Sequence, residues 1–156
     1  MTLPECVEVT TGENPVGSVI WLHGLGADGH DFEPIVPELR LPAELPLRFV
    51  FPHAPVRPVT INGGMSMRAW YDIVSLDAEG RADAKGVHES TALLEGLIAR
   101  EKNRGIDAEK IVISGFSMGV AIAINTALHS KESLAGLMAV STYLTLPGEV
   151  AESAGQ

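Results

Sequence analysis

The stretch from residue 110 to residue 124 limits this chain more than any other. Ile111-Val112-Ile113 is apolar and β-branched, Gly115-Phe116-Ser117-Met118-Gly119 follows, and Val120-Ala121-Ile122-Ala123-Ile124 is apolar and alanine-rich. A strand-length run, then G-x-S-x-G, then helix-forming residues predicts a strand, a sharp turn and a helix with Ser117 at the apex. The spacing has a steric cause. A serine pushed out above a sheet on so tight a turn leaves no room for side chains two residues to either side, and both places are glycine. Ser117 is therefore the candidate nucleophile.

The rest of the chain supplies a sheet for that turn to stand on. Residues 6–9 alternate weakly and predict a first strand, ending at the turn signal Thr11-Gly12-Glu13-Asn14-Pro15. Residues 19–22 form a continuous apolar run, read as a buried central strand, and residues 47–51 a further strand stopped by Pro52. A short helix is predicted over residues 32–39 with Asp31 as its N-cap. Residues 53–72 read as one long irregular segment, and its Trp70-Tyr71 pair favours an ordered loop over a site. Residues 77–83 are polar and turn-like. Val87, Thr91, Leu94 and Ile98 then recur at helical spacing up to Gly105, the expected C′ residue. A buried helix over residues 118–130 and a strand over residues 137–140 complete the pattern, leading to Ser141-Thr142-Tyr143 and a small, polar tail after Pro147. Strands alternating with helices predict an α/β fold with a mostly parallel sheet covered by helices on both faces.

Gly24-Leu25-Gly26-Ala27-Asp28-Gly29 follows the central strand and fits two chemistries. As G-x-G-x-x-G it would cradle a dinucleotide. That requires a long helix opening at the loop and an acidic residue about 20 positions on to hold the ribose. The next strand ends Phe49-Val50-Phe51-Pro52-His53 without an acid, and Pro34 and Pro37 suit no long helix. As part of an acyl-transfer site the same loop makes better sense. A tetrahedral oxyanion needs two preorganised N–H donors. One is the residue after the nucleophile, Met118, and the other lies in a His-Gly-rich loop after an earlier strand, where Leu25 is the natural donor.

With those motifs in place the chain resembles the carboxylesterase family that includes acyl-protein thioesterases, an α/β-hydrolase fold. The resemblance rests on Leu22-His-Gly-Leu-Gly-Ala-Asp-Gly29, Phe51-Pro-His-Ala-Pro55, Met65-Ser-Met-Arg-Ala-Trp-Tyr-Asp72 and Gly115-Phe-Ser-Met-Gly119, which stand in family order and carry it to about Leu146. It implies hydrolysis of small-molecule carboxylic esters or thioesters through an acyl-serine, without cofactor or metal. By position, Ser117 resembles the nucleophile, and Leu25 and Met118 the backbone donors of the oxyanion hole. The chain departs from the family's G-F-S-Q-G-G at Met118 and Val120, and Val120 is expected to crowd the turn.

A further departure concerns the proton. The order in this fold is Ser, then Asp or Glu, then His. No aspartate follows Ser117, and the only later histidine, His129, falls about 18 Å along the same helix at 1.5 Å per residue. The expectation is a single domain over residues 1–156 that lacks the C-terminal part of the fold and has weak or absent activity. The alternative is a non-catalytic protein that self-associates or binds a partner through the open sheet edge left by residues 137–140.

The remaining candidates read as structural. His23 is expected to shape the loop rather than act as a base, and His53, at a strand end, likewise. His30, His88 and His129 lack metal-ligand spacing, so no metal is expected. Trp70 and Tyr71 either line an acyl pocket or anchor their loop, Asp72 orders it, and Glu89, Glu95, Glu101 and Lys102 read as a solvated helix face. The lone Cys6 cannot form an internal disulfide, and a net charge of −9 argues against nucleic acid or an anionic membrane as partner. With no signal peptide and no run long enough to span a bilayer, a cytoplasmic location is expected.

Overall fold

The structure, a computed structural model, describes residues 2–74 and 83–140. Five strands form the main sheet in the order β1-β3-β2-β6-β7. They are β1 (Cys6–Thr10), β2 (Gly17–Leu22), β3 (Leu47–Pro52), β6 (Ile111–Phe116) and β7 (Gly136–Val140). β2 pairs in parallel with both β3 and β6, β6 in parallel with β7, and only β1 runs antiparallel, against β3. All six residues of β2 are buried, as expected of a parallel strand covered on both faces.

Alternation along the strands divides the apolar residues between two layers. Ile20, Leu22, Ile111 and Ile113 face the helices α2 (Ala84–Asn103) and α3 (Met118–His129), packing with Leu94, Leu97, Ile98 and Ile122. Val19, Trp21, Phe49 and Phe51 face the other way, under Val36 of α1 (Ile35–Glu38) and Phe32, which stacks on Trp21 at 5.0 Å. The Asp83 carboxylate caps α2 by accepting from Gly86 N at 3.0 Å, and Gly105 ends it at φ 98°. Asn125 of α3 donates to Thr91 of α2 at 2.9 Å, joining the two helices.

Several expectations need correction. The helix predicted over residues 32–39 begins only at Ile35, because Glu33 precedes Pro34 and is disfavoured from the helical region; Pro34, not Asp31, stands at the N-cap. The segment 53–72 is not irregular. It holds an antiparallel hairpin of β4 (Val56–Val59) and β5 (Met65–Arg68), in which Pro58 faces Ser66. A proline is tolerated there because the hairpin is all edge. Glu101 is not on a solvated face. It is wholly buried, with its carboxylate held by Ser18, Arg48 and Arg104. Most of the polar stretch 77–83, and everything after residue 140, lies outside the described residues.

β7 is the last strand of the sheet among the described residues, and Leu137 and Met138 are each 42% exposed. No helix among the described residues is long and apolar enough to cross a membrane.

Candidate active site

The order of the strands places the site. β3 and β6 flank β2 on opposite sides, so the chain turns opposite ways from the carboxyl ends of β2 and β6, the place where open α/β sheets bind their ligands. The loop at residues 23–29 leaves β2 at that edge, and Ser117 stands where β6 gives way to α3.

Ser117 has φ 53° and ψ −115°, a backbone conformation that an L-residue adopts only under constraint. The constraint comes from both sides. Its N–H donates to Val140 O at 3.0 Å, and its carbonyl accepts from Val120 N at 3.1 Å. No hydrogen bond holds its hydroxyl to any described residue, and the residue is half-buried. The flanking glycines are sterically required. A Cβ on Gly115 would lie 2.5 Å from the carbonyl carbon of Gly119 and 2.6 Å from Val120 N, and one on Gly119 would lie 2.8 Å from His23 O. The Val120 side chain is fully buried. Strain of this kind costs about 1–3 kcal/mol, and glycine at position 117 would release it at an entropic cost of about 0.5–1 kcal/mol. Ser117→Gly should therefore raise the unfolding free energy by about 1 kcal/mol in urea titration. A loss of stability would mean that the serine backbone is not strained.

The loop at residues 23–29 lies against this turn, where a Cβ on Gly24 would come within 3.0 Å of the Phe116 ring. Its own groups are largely spoken for. Gly26 N–H donates to Arg68 O at 2.9 Å, Ala27 N–H to Gly24 O at 3.3 Å and Gly29 N–H to the His53 Nδ1 at 3.0 Å. Neither Leu25 N–H nor Met118 N–H has an acceptor among the described residues. The Met118 side chain is buried, and its sulfur accepts from Trp70 N at 3.3 Å, so the departure at this position falls on the side chain and spares the backbone donor.

His23 is buried between the loop and β3. Ala54 N–H donates to its Nε2 at 3.0 Å, which leaves the proton on Nδ1 to reach Gly24 O at 2.7 Å. Burial pushes its pKa below the ordinary histidine value, against the opposing pull of the Gly24 carbonyl, and so favours this neutral form. Both ring nitrogens face backbone, so the imidazole serves the loop and is not a free base. Trp70 and Tyr71 are each 1% exposed, and the Trp70 Nε1 donates to His23 O at 2.8 Å; they anchor their segment. Asp72 accepts from Thr60 N at 2.7 Å and from the Thr60 hydroxyl at 2.5 Å, and those bonds hold its carboxyl below the ordinary aspartate pKa. His129 is the last residue of α3, at the far end of that helix from Ser117, with its Nδ1 2.7 Å from Asn125 O. Among the described residues no three His, Cys, Asp or Glu side chains are grouped to share a metal ion.

Sequence reasoning missed the part played by Ala54 and Arg68. Ala54 N–H holds His23, and Ala54 O accepts from the Arg68 Nη1 at 2.8 Å, while Arg68 O holds Gly26. No local pattern announces such contacts, although the Pro-His-Ala-Pro string at the end of a strand marks a fixed corner.

Comparison with known proteins places the family and the fold. A profile of the phospholipase/carboxylesterase family matches residues 4–156. Acyl-protein thioesterase 1 of Neurospora crassa is 41% identical over 86% of this chain and 58% of its own length. The protein of that name from Yarrowia lipolytica is 39% identical over 83% of this chain and 58% of its own. The chain thus spans less than two thirds of the length of these relatives. Among solved structures, Arabidopsis thaliana SOBER1 superimposes with a TM-score of 0.81 at 29% identity, over 88% of this chain and 66% of that one. Zea mays acyl-protein thioesterase 2 does so with a TM-score of 0.80 at 26% identity, over 97% of this chain and 68% of that one.

Proposed function

The chain belongs to the phospholipase/carboxylesterase family of α/β-hydrolases, and on that premise we propose that it carries the nucleophile half of a serine hydrolase acting on small-molecule esters or thioesters. The observation that carries this reading is the pairing of a strained serine with a tightly fixed loop, where neither the Ser117 hydroxyl nor the Leu25 N–H has a partner among the described residues. Ser117 Oγ attacks the acyl carbon, its proton passes to solvent water, and the carbonyl oxygen becomes an oxyanion. Leu25 N–H and Met118 N–H then donate to that oxyanion, and the alcohol or thiol leaves as the acyl-serine forms. The loop flank is apolar, with Leu25, Ile61 and Met67 half-buried against the core, which suits an acyl chain. The relatives named as acyl-protein thioesterases favour the thioester.

His23 spends both ring nitrogens on the loop and on Ala54, and no aspartate follows Ser117 in these 156 residues. Loss of a triad member can leave about 10³–10⁴-fold acceleration over water from the oxyanion hole and binding. The 156 residues alone should accordingly turn over esters weakly. A fluorophosphonate probe should label wild-type protein slowly at Ser117 and Ser117→Ala not at all. Equal labelling of both would overturn the assignment of Ser117. Turnover at the rate of an intact esterase, abolished in Ser117→Ala, would keep Ser117 and overturn the weak activity.

A second reading has one observation in its favour. β7 is a continuous apolar strand of a parallel sheet, yet Leu137, Met138 and Ala139 are exposed. Such an edge suits self-association or a partner strand in a non-catalytic protein. Absence of any label at Ser117 would favour it.

A further inference from the structure

The loop that carries Leu25 is gripped at both ends from one place, the corner that follows β3. At its start, Gly24 O takes the Nδ1 proton of His23, whose other nitrogen is held by Ala54 N–H. At its end, Gly29 N–H donates to the Nδ1 of His53, the residue before Ala54. In the middle, Gly26 N–H rests on Arg68 O, and the guanidinium of Arg68 is bonded to Ala54 O. His53 and Ala54 thus hold the start, middle and end of the segment that carries Leu25, whose N–H has no acceptor among the described residues. Gly29 has no room to move inward, since a Cβ there would lie 3.2 Å from the His53 Cε1 and closer still to Phe51 O.

We propose that His53 is a positioning residue that fixes the oxyanion loop through its neutral Nδ1; the catalytic half of this inference rests on the hydrolase reading above. The chemistry demands one protonation state. An imidazole can accept from Gly29 N–H only while Nδ1 bears a lone pair, so the ring's proton must sit on Nε2. A second proton would put two N–H groups face to face, and the end of the loop would come free. The charged and titratable groups facing His53 come from every element around it. The His30 ring lies 5.7 Å away, and Asp28 and His23 lie on the loop itself. Glu5 precedes β1, Arg68 ends β5, and both line with His53 a cavity of about 320 Å³. The ring is half-buried with its Nδ1 occupied.

The test separates the clasp from the chemistry. Amide exchange is followed by NMR in wild type, His53→Ala and His53→Asn, the asparagine oxygen standing near the place of Nδ1 and accepting at any pH. His53→Ala should lower the protection of the Gly29 amide about tenfold, the scale of one hydrogen bond, and leave the α2 and α3 amides unchanged. His53→Asn should restore it. Unchanged protection in His53→Ala, or no rescue by asparagine, would each overturn the proposal. With any turnover that depends on Ser117, His53→Ala should lower kcat and leave KM, and a change confined to KM would overturn the catalytic half. Should Ser117 take no label at all, the hydrolase reading fails while the exchange data still decide the clasp.

Discussion

Glu101→Leu should lower the unfolding free energy by about 3–5 kcal/mol, the range for breaking a buried ion pair by removing one partner. The carboxylate is at the end of α2, 1% exposed, beneath the amino ends of β2 and β3. Its Oε1 accepts from the Ser18 hydroxyl at 2.6 Å and from the Arg48 Nη1 at 2.9 Å, and its Oε2 from the Arg104 Nη1 at 2.9 Å. Three donors converge on one charge, tying the helix to both strands. Leucine fills the space but leaves Arg48, only 18% exposed, with Glu8 alone at 4.0 Å, and leaves the Ser18 hydroxyl unpaired. Arg104 suffers less, because it keeps the Glu8 carboxylate at 2.5 Å and is 33% exposed. The cost lies in the weakly compensated charge of Arg48, so Arg48→Met added to Glu101→Leu should recover part of the loss. Against a total stability of about 5–15 kcal/mol, the single change is easily read in urea titration. A loss under about 1 kcal/mol, or a double variant no better than the single, would show that the pair is not what holds the corner.

Glu101 also shows where the sequence could be read further. Val87, Thr91, Leu94 and Ile98 set a stripe by steps of four, three and four, and the next step of three lands on Glu101. A charge on the buried stripe of an amphipathic helix is a statement that partners exist, although the partners, Ser18 and Arg48, are far along the chain and carry no signal of their own. The central strands were legible because parallel strands buried on both faces are continuously apolar, as in Val19-Ile20-Trp21-Leu22. The β4–β5 hairpin was not, because its strands mix Pro58, Arg57 and Ser66 with apolar residues and pair only with each other. At the candidate site the turn at Ser117 and the glycine loop were legible through their spacing, which backbone sterics dictate. The grip of His53 and Ala54 on that loop was not, because it joins residues 24 and 31 positions apart through backbone groups that every residue type possesses.

Gly119→Ala should cost about 3 kcal/mol and, with it, the labelling of Ser117. Overpacking usually costs about 1–3 kcal/mol because side chains rotate aside. Here the atoms in the way are backbone: the new Cβ would lie 2.8 Å from His23 O and nearer still to Leu22 O. Those carbonyls end β2, whose partner in the sheet is β6 itself, with Leu22 facing Gly115 in register. The first turn of α3 can therefore move only by lifting away from β2, and Ser117 and Met118 move with it. The oxyanion donors sit on opposite sides of that contact, Leu25 on the loop and Met118 on the helix, so the displacement separates them. Alanine is otherwise the best residue for a helix interior, and helix propensity alone would make this change favourable by about 1 kcal/mol. The sign of the measured effect thus decides between the two. A variant as stable as wild type that still takes the fluorophosphonate at Ser117 would show that β2 and α3 are not in such close contact, and the steric account of the G-x-S-x-G spacing would fall with it.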